Sequence, residues 1–203
     1  NLILILLAFA VIPFIWDQMP AQIPSHWNLQ GEVDGYSSKT VGLLMLPAIN
    51  MLVYLTLLYL PKIDPKKRIE IDQKPIPVLR TLTILLLLGI HAWMIINALG
   101  GDINSQSWIY LGIAIFFLVM GNYLRTIEPN YFIGIRVPWA LEDASNWRKT
   151  HKFGSYVWVA GGLLLVILFP FLKLQTYTTL FGATAAMLAL LPMLYSFYIY
   201  KKS

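Results

Sequence analysis

The chain has 203 residues, of which 58% are hydrophobic and 12% charged, with a formal net charge of +5. Soluble globular domains carry about 25% charged residues, so this balance argues against a water-soluble fold. The absence of cysteine excludes disulfides, thiolate nucleophiles and cysteine-ligated zinc.

The apolar residues fall into six runs, near 2–16, 41–60, 78–99, 107–124, 154–172 and 179–200. Five reach about 18–22 residues, enough for a helix to cross a ~30 Å hydrocarbon core. The first is shorter. The short alternating segments of a membrane barrel are missing. The expectation is an all-α membrane protein of six transmembrane helices. The chain begins with Asn rather than Met, so preceding residues are expected. No small-residue cleavage site follows the first run, which argues against a signal peptide.

The connection after the first run holds the stretch IPSHWNLQGEVDGYSSK, Ile23 to Lys39. Pro20 and Pro24 push their predecessors toward extended backbone, and Gly31 and Asp34-Gly35 mark turns. A strand-turn-strand cap is expected, with His26, Trp27, Asn28, Glu32, Asp34 and Tyr36 as candidate ligand-binding residues. Three readings stay open. The loop is a folded lid with Trp27 buried; or it is a recognition surface with acidic character; or His26, Glu32 and Asp34 hold a metal. A metal site there would serve a membrane metallopeptidase or other membrane enzyme, but catalytic zinc usually takes more than one His.

The next connection, 61–77, carries Lys62, Lys66, Lys67, Arg68 and Lys74. It reads as a basic linker at the headgroups. It divides the chain into a first helix pair with its loop, 1–60, and a four-helix region, 78–203. Within the spans, Asn50, His91, Asn97 and Asn122 are the polar residues, and hydrogen bonding between helices is their commonest role. Gly182 and Ala186 form a small-xxx-small pair suited to close helix packing.

The 125–153 connection is also rich in chemistry. Pro129 and Gly134 break helix, and NYFIGIRVPW reads as extended or re-entrant. LEDASNWRKTHKF reads as a helix that runs into the fifth span, capped by Asp143 or Ser145. Trp147, Arg148 and His151 share one side of it. Read as an interfacial helix, it anchors Trp139 and Trp147 at the headgroups. Read functionally, Asn130, Arg136, Trp139, Trp147, Lys149 and His151 make a docking surface. Arg136 needs a partner if buried, with Glu128 and Glu142 as candidates.

Lys and Arg concentrate in 61–77, in 125–153 and at the tail, whereas the other connections hold only Lys39 and Lys173. Basic residues favour the cytoplasmic side. Both termini are therefore expected in the cytoplasm, with the 17–40 loop outside and the 125–153 loop inside. No Asp or Glu lies deep in a span, and HExxH, GxSxG and Walker patterns are absent. Neither a cofactor nor direct nucleic-acid contact is implied.

Two stretches carry a resemblance. The first is Ile23-Pro24, His26-Trp27-Asn28, Gly31, Asp34-Gly35-Tyr36 and Lys39, which resembles a bacterial outer-loop domain of unknown function. The second is Gly121-Asn122, Pro129-Asn130, Phe132 to Arg136, Pro138-Trp139, Leu141, Trp147, Lys149 to His151 and Gly154. It resembles the inner motif of the SdpI immunity-protein family. Met19 stands where Leu is usual. The resemblance implies a multipass protein of a bacterial plasma membrane that protects its cell from a secreted peptide toxin. It further implies signalling, in which a cytoplasmic winged-helix repressor is held at the membrane when toxin is present. The outer loop then becomes the toxin-sensing side and the inner loop the repressor-docking side.

Overall fold

The structure is a computed structural model, and it describes residues 1–28, 32–63, 75–101 and 106–202. Lys66, Lys67, Arg68 and Lys74 of the expected linker, and Gly31 of the outer loop, lie outside the described residues. In chain order the elements are α1 (Leu2–Ile15), β1 (Gln22–Trp27), β2 (Val33–Ser38), α2 (Lys39–Ile63), α3 (Pro75–Ala98), α4 (Gln106–Leu124), α5 (Pro138–Glu142), α6 (Ala144–Leu168) and α7 (Leu174–Lys202). Single 3₁₀ turns follow α1 and α6. The protein is 80% helical.

Among the described residues, four helical segments are long and apolar enough to cross a membrane: Lys39–Ile63, Pro75–Ala98, Ala144–Phe171 and Leu174–Lys202. Two apolar helices are shorter, Leu2–Gln18 and Trp108–Leu124. Large apolar side chains point outward, with Phe14 80% and Ile3 72% exposed. In water such surfaces drive association; in a bilayer they meet lipid. The protein is a multipass membrane protein.

The chain forms two compact units. The first takes Asn1–Thr56 and Arg80–Ile109. In it α2 and α3 run antiparallel in one register. His91 bonds the backbone of Leu43, Asn50 Nδ2 donates to the Ile84 carbonyl at 3.2 Å, and Arg80 lies over the Tyr54 ring at 5.7 Å. Each step of seven or four residues along α2 is matched by an equal step back along α3, the spacing of one helix face. α1 begins beside α3, where Asn1 Nδ2 donates to Thr81 Oγ1. At the other end Ile12, Met19, Ile23, Leu43, Trp93 and Met94 form a core. The expected polar residues Asn50 and His91 are thus interhelical braces, whereas Asn97 bonds its own helix at Trp93 O.

The second unit takes Leu57–Leu79 and Tyr110–Ser203. α4 and α7 both pack on α6. The α4–α6 seam is close because glycine permits it. A Cβ on Gly162 would lie 2.6 Å from the Leu118 backbone nitrogen, and one on Gly121 2.7 Å from Trp158 Cβ. Gly182, expected to serve close packing, faces open space, with nothing within 4 Å of its would-be Cβ. Small-xxx-small spacing marks a possible groove on a helix, and among the described residues no neighbour enters it at Gly182.

Between α6 and α7 sits a closed polar knot absent from the sequence-based expectations. Asn146 Nδ2 donates to Ser196 O, while Ser196 Oγ and Thr150 Oγ1 both donate to Asn146 Oδ1, at 2.6 and 2.9 Å. All three side chains are buried. In lipid an unpaired polar group costs several kcal/mol, so the mutual satisfaction fixes how α6 and α7 meet.

Candidate functional sites in the two loops

The 17–40 loop folds as the expected hairpin. β1 and β2 pair antiparallel from Gln22 opposite Ser38 to Trp27 opposite Val33. The register breaks around His26, next to Pro24, which has no N–H for a ladder. Two devices pin the hairpin to its unit. The Trp27 ring packs at 4.4 Å on Trp93, and Ile23 is fully buried. At the foot, Lys39 Nζ donates to Trp16 O at 3.0 Å and lies over the Trp16 ring.

The six expected outer residues divide by role. Asn28 and Glu32 clasp the turn. Each backbone N–H finds an oxygen of the other residue at 2.9 Å, and Asn28 Nδ2 donates to Glu32 Oε2. Trp27 is half-buried as an anchor. His26, Asp34 and Tyr36 are exposed, as is Glu32. His26 Nδ1–H donates to Asp34 Oδ1 in a short bond. This contact faces solvent on both sides, with side chains 72% and 43% exposed, so it contributes little to stability and leaves the imidazole available to a ligand. Glu32 is thus engaged away from the His26–Asp34 pair. Among the described residues no three His, Asp or Glu side chains come together in an arrangement that could hold a metal ion.

The loop 125–143 is a folded plug. Asn130 organises its turn with both ends of its amide. Oδ1 accepts the N–H groups of Phe132 and Ile133 at 2.8 and 2.7 Å, and Nδ2 donates to the carbonyls of Glu128 and Ile133. Gly134 has φ +110, a conformation that side chains disfavour. The next N–H, of Ile135, donates to His151 Nε2 at 3.0 Å. His151 Nδ1–H in turn donates to Trp147 O. One ring nitrogen accepts and the other donates, which is the hydrogen-bond pattern of a neutral imidazole. The ring also stacks on Trp147 at 4.0 Å. Trp147 is fully buried and its Nε1–H donates to Ile127 O at 2.7 Å. Asp143 caps α6 by accepting from Ser145 N.

The expected docking set therefore splits. Asn130, Trp147 and His151 are buried; Asn130 holds the loop's own turn, while Trp147 and His151 tie the loop to α6. Trp139 is half-buried, with rings of Phe197 and Tyr200 beside it. Arg136 and Lys149 are exposed. Arg136 is bonded neither to Glu128 nor to Glu142. Its Nη1 donates to the Tyr131 carbonyl at 2.8 Å, so an exposed guanidinium braces backbone and needs no buried counter-ion. Arg125 and Arg148 are exposed as well.

Residues 126–196 match the family model described as the SdpI/YfhL protein family, and residues 3–51 match one described as a domain of unknown function, DUF1648. The first region holds the plug, α6 and most of α7; the second holds α1, the hairpin and half of α2. The chain is 28% identical over 204 residues to the "Immunity protein SdpI" of Bacillus subtilis (strain 168), covering 100% of this chain and 95% of that protein. No solved structure matches the chain. With one family model on the plug, α6 and most of α7, and a likeness that runs end to end, the chain is similar to the SdpI/YfhL protein family.

Proposed function

We propose that this chain is an integral membrane immunity protein that protects its cell from a secreted peptide toxin. The observation that carries the reading is the end-to-end likeness to a protein named for immunity. It is supported by a hairpin whose exposed His26, Asp34 and Tyr36 offer a donor, an acid and a ring to a ligand. The toxin-sensing patch is then these three residues, with Trp27, Asn28 and Glu32 holding them in place.

Six spans fit this reading. α1 lies along α3 from Thr81 to Trp93, and α4 lies along α6 from Gly154 to Leu165, so both shorter helices follow long apolar ones. With both termini in the cytoplasm, the 1–60 pair presents the hairpin outside, 61–77 is the basic linker, and 78–203 presents the plug inside. Since the protein has no cysteine, single cysteines report side cleanly. Ser25 and Ser145 are exposed. Ser25→Cys is expected to react with an impermeant thiol reagent on intact cells, and Ser145→Cys only after permeabilisation. The reverse pattern would overturn the orientation.

A cytoplasmic winged-helix repressor is the proposed second partner, docking on the exposed Arg136 and Lys149. A ligand shifts the protein between states only if it binds them unequally, so toxin must favour the repressor-binding form. The test is survival and repressor capture in a Bacillus subtilis strain that lacks its own immunity protein. Expression of this chain is expected to restore growth in toxin. The Arg136→Ala, Lys149→Ala variant is expected to keep abundance and survival but lose capture. Failure of the parent chain to protect against any toxin offered would remove the immunity reading.

A further inference from the structure

The hairpin is a sheet of two strands, so each strand has one outer edge, and the two edges differ. Lys39 N–H donates to the Ala21 carbonyl at 3.0 Å, which closes the ladder at its foot. From there the register is regular as far as Pro24 opposite Tyr36. Backbone groups in an antiparallel pair point alternately toward and away from the partner strand. Ile23 and Ser37 therefore face each other, while Pro24 and Tyr36 point away. β1 turns the nitrogen of Pro24 to its outer edge, and proline has no N–H to offer there. β2 turns the N–H and the carbonyl of Tyr36 to its own edge. Among the described residues neither of these groups has a backbone partner. Asp34, Tyr36 and Ser38 are exposed along the strand.

Natural sheets blunt a free edge with proline, lysine, a bulge or a covering segment. β1 has Pro24 on its edge. β2, with the sequence VDGYSS, has no proline and no lysine. An exposed row of backbone donors and acceptors is a template for one more strand. The side chains around it set the charge of that strand. Asp17, Glu32 and Asp34 are exposed, and residues 17–38 hold no Lys or Arg, in a chain whose net charge is +5. The nearest base, Lys39, is occupied by the Trp16 carbonyl and ring. An acidic edge suits a cationic strand. A second copy of the chain would bring the same acids to the same edge, and like charges set opposite one another are destabilising.

We propose that the outer edge of β2 takes an extended, cationic peptide segment as a third strand. The N–H and carbonyl of Tyr36 bind its backbone, and Asp34 attracts its basic side chains. That this segment belongs to the toxin rests on the immunity reading; the docking edge itself does not.

The full chain in detergent is titrated with a fluorescent synthetic peptide of alternating Lys and Val, and anisotropy is followed. One comparison peptide has alternate backbone amides N-methylated, which keeps its charge and removes its donors. The other alternates Glu and Val. The Lys-Val peptide is expected to bind and the Glu-Val peptide to fail. N-methylation should weaken binding about tenfold, the worth of one backbone hydrogen bond. Tyr36→Pro removes the outward N–H without touching the bonds to β1, and should cost about as much. Tyr36→Thr keeps that N–H and should stay close to the parent. If the N-methylated peptide binds the parent chain equally well, the attraction is charge alone and the proposal fails. It also fails if the parent elutes as a dimer that Tyr36→Pro makes monomeric, since a second copy then covers the edge. Should Tyr36→Pro lose its folded elution profile, the N-methylated peptide against the parent chain decides the matter alone. Survival in toxin is scored separately. If the parent and Tyr36→Pro protect equally, the immunity reading stands and the toxin does not use this edge. If the parent binds the peptide yet protects against no toxin, the edge stands and the immunity reading falls.

Discussion

Gly134→Ala is expected to remove most of the folded protein from the membrane. Two costs add at one atom. The residue sits at φ +110, a region that costs an ordinary side chain roughly 1–3 kcal/mol. The new Cβ would also fall 2.3 Å from His151 Nε2 and 3.1 Å from Trp147 Cζ2. The imidazole would have to leave, and the Ile135 N–H would lose its acceptor. An unsatisfied buried donor costs about 1–3 kcal/mol. The total of about 2–6 kcal/mol is a large share of a typical stability. Thermal unfolding in detergent and membrane abundance both read it. The steric and backbone parts separate in a double-mutant cycle. In a His151→Ala background the overlap with the ring is gone, so Gly134→Ala should then cost only the backbone share. Full additivity of the two changes would show that Gly134 and His151 do not act on each other.

That coupling shows why the inner loop was only half legible. Helix breaking at Pro129 and Gly134, the cap at Asp143 and the run of α6 into the apolar segment all follow from local chemistry, and the structure has them. The apolar runs give α2, α3, α6 and α7 because length and hydropathy are local quantities too. Pro24 helped to announce extended backbone in the 17–40 loop, but Asp34-Gly35, read as a turn, lies inside β2, because the chain reverses before Val33. The fates of Asn130, His151 and Trp147 were not local. A polar residue in a loop can face a partner or hold the loop shut. The choice depends on which carbonyl lies 2.7–3.1 Å away. For His151 the deciding group is the N–H of Ile135, sixteen positions back. For Trp147 it is the carbonyl of Ile127, twenty positions back. The Asn146–Ser196 contact spans fifty positions, and nothing in the local pattern around either residue signals it. One cue was available for Gly134. A glycine between two isoleucines in a non-helical stretch has no packing purpose, and positive φ is the usual reason for it.

The sharpest contrast in the spans is between two glycines that look alike in sequence. Gly162→Leu is expected to unfold the second unit, whereas Gly182→Leu is expected to be tolerated. At Gly162 the obstacle is backbone. The Leu118 nitrogen and Cα would lie 2.6 and 2.8 Å from the added Cβ, and the Ala114 carbonyl 3.0 Å away. A side chain can rotate out of the way, but the main chain of α4 can only move with the whole helix. Overpacking a well-filled interior costs about 1–3 kcal/mol when side chains can adjust, so a backbone collision belongs at or above the upper end. Separation of the helices is also what lipid does least to resist. Tails are as apolar as the helix faces, and association rests on close packing and interhelical bonds. Pushing α4 from α6 would loosen the Trp158 contact with Phe117, now at 5.4 Å, and widen the cavity lined by Met120, Leu124 and Trp158. At Gly182 the same added carbons enter open space and meet lipid. The measurement is steady-state membrane abundance and elution in mild detergent, with both variants made in the same strain. Equal behaviour of the two would mean that the α4–α6 approach is looser than 2.6 Å implies. If Gly182→Leu alone were lost, the face around Gly182 would be covered by a neighbour, such as a second copy of the chain.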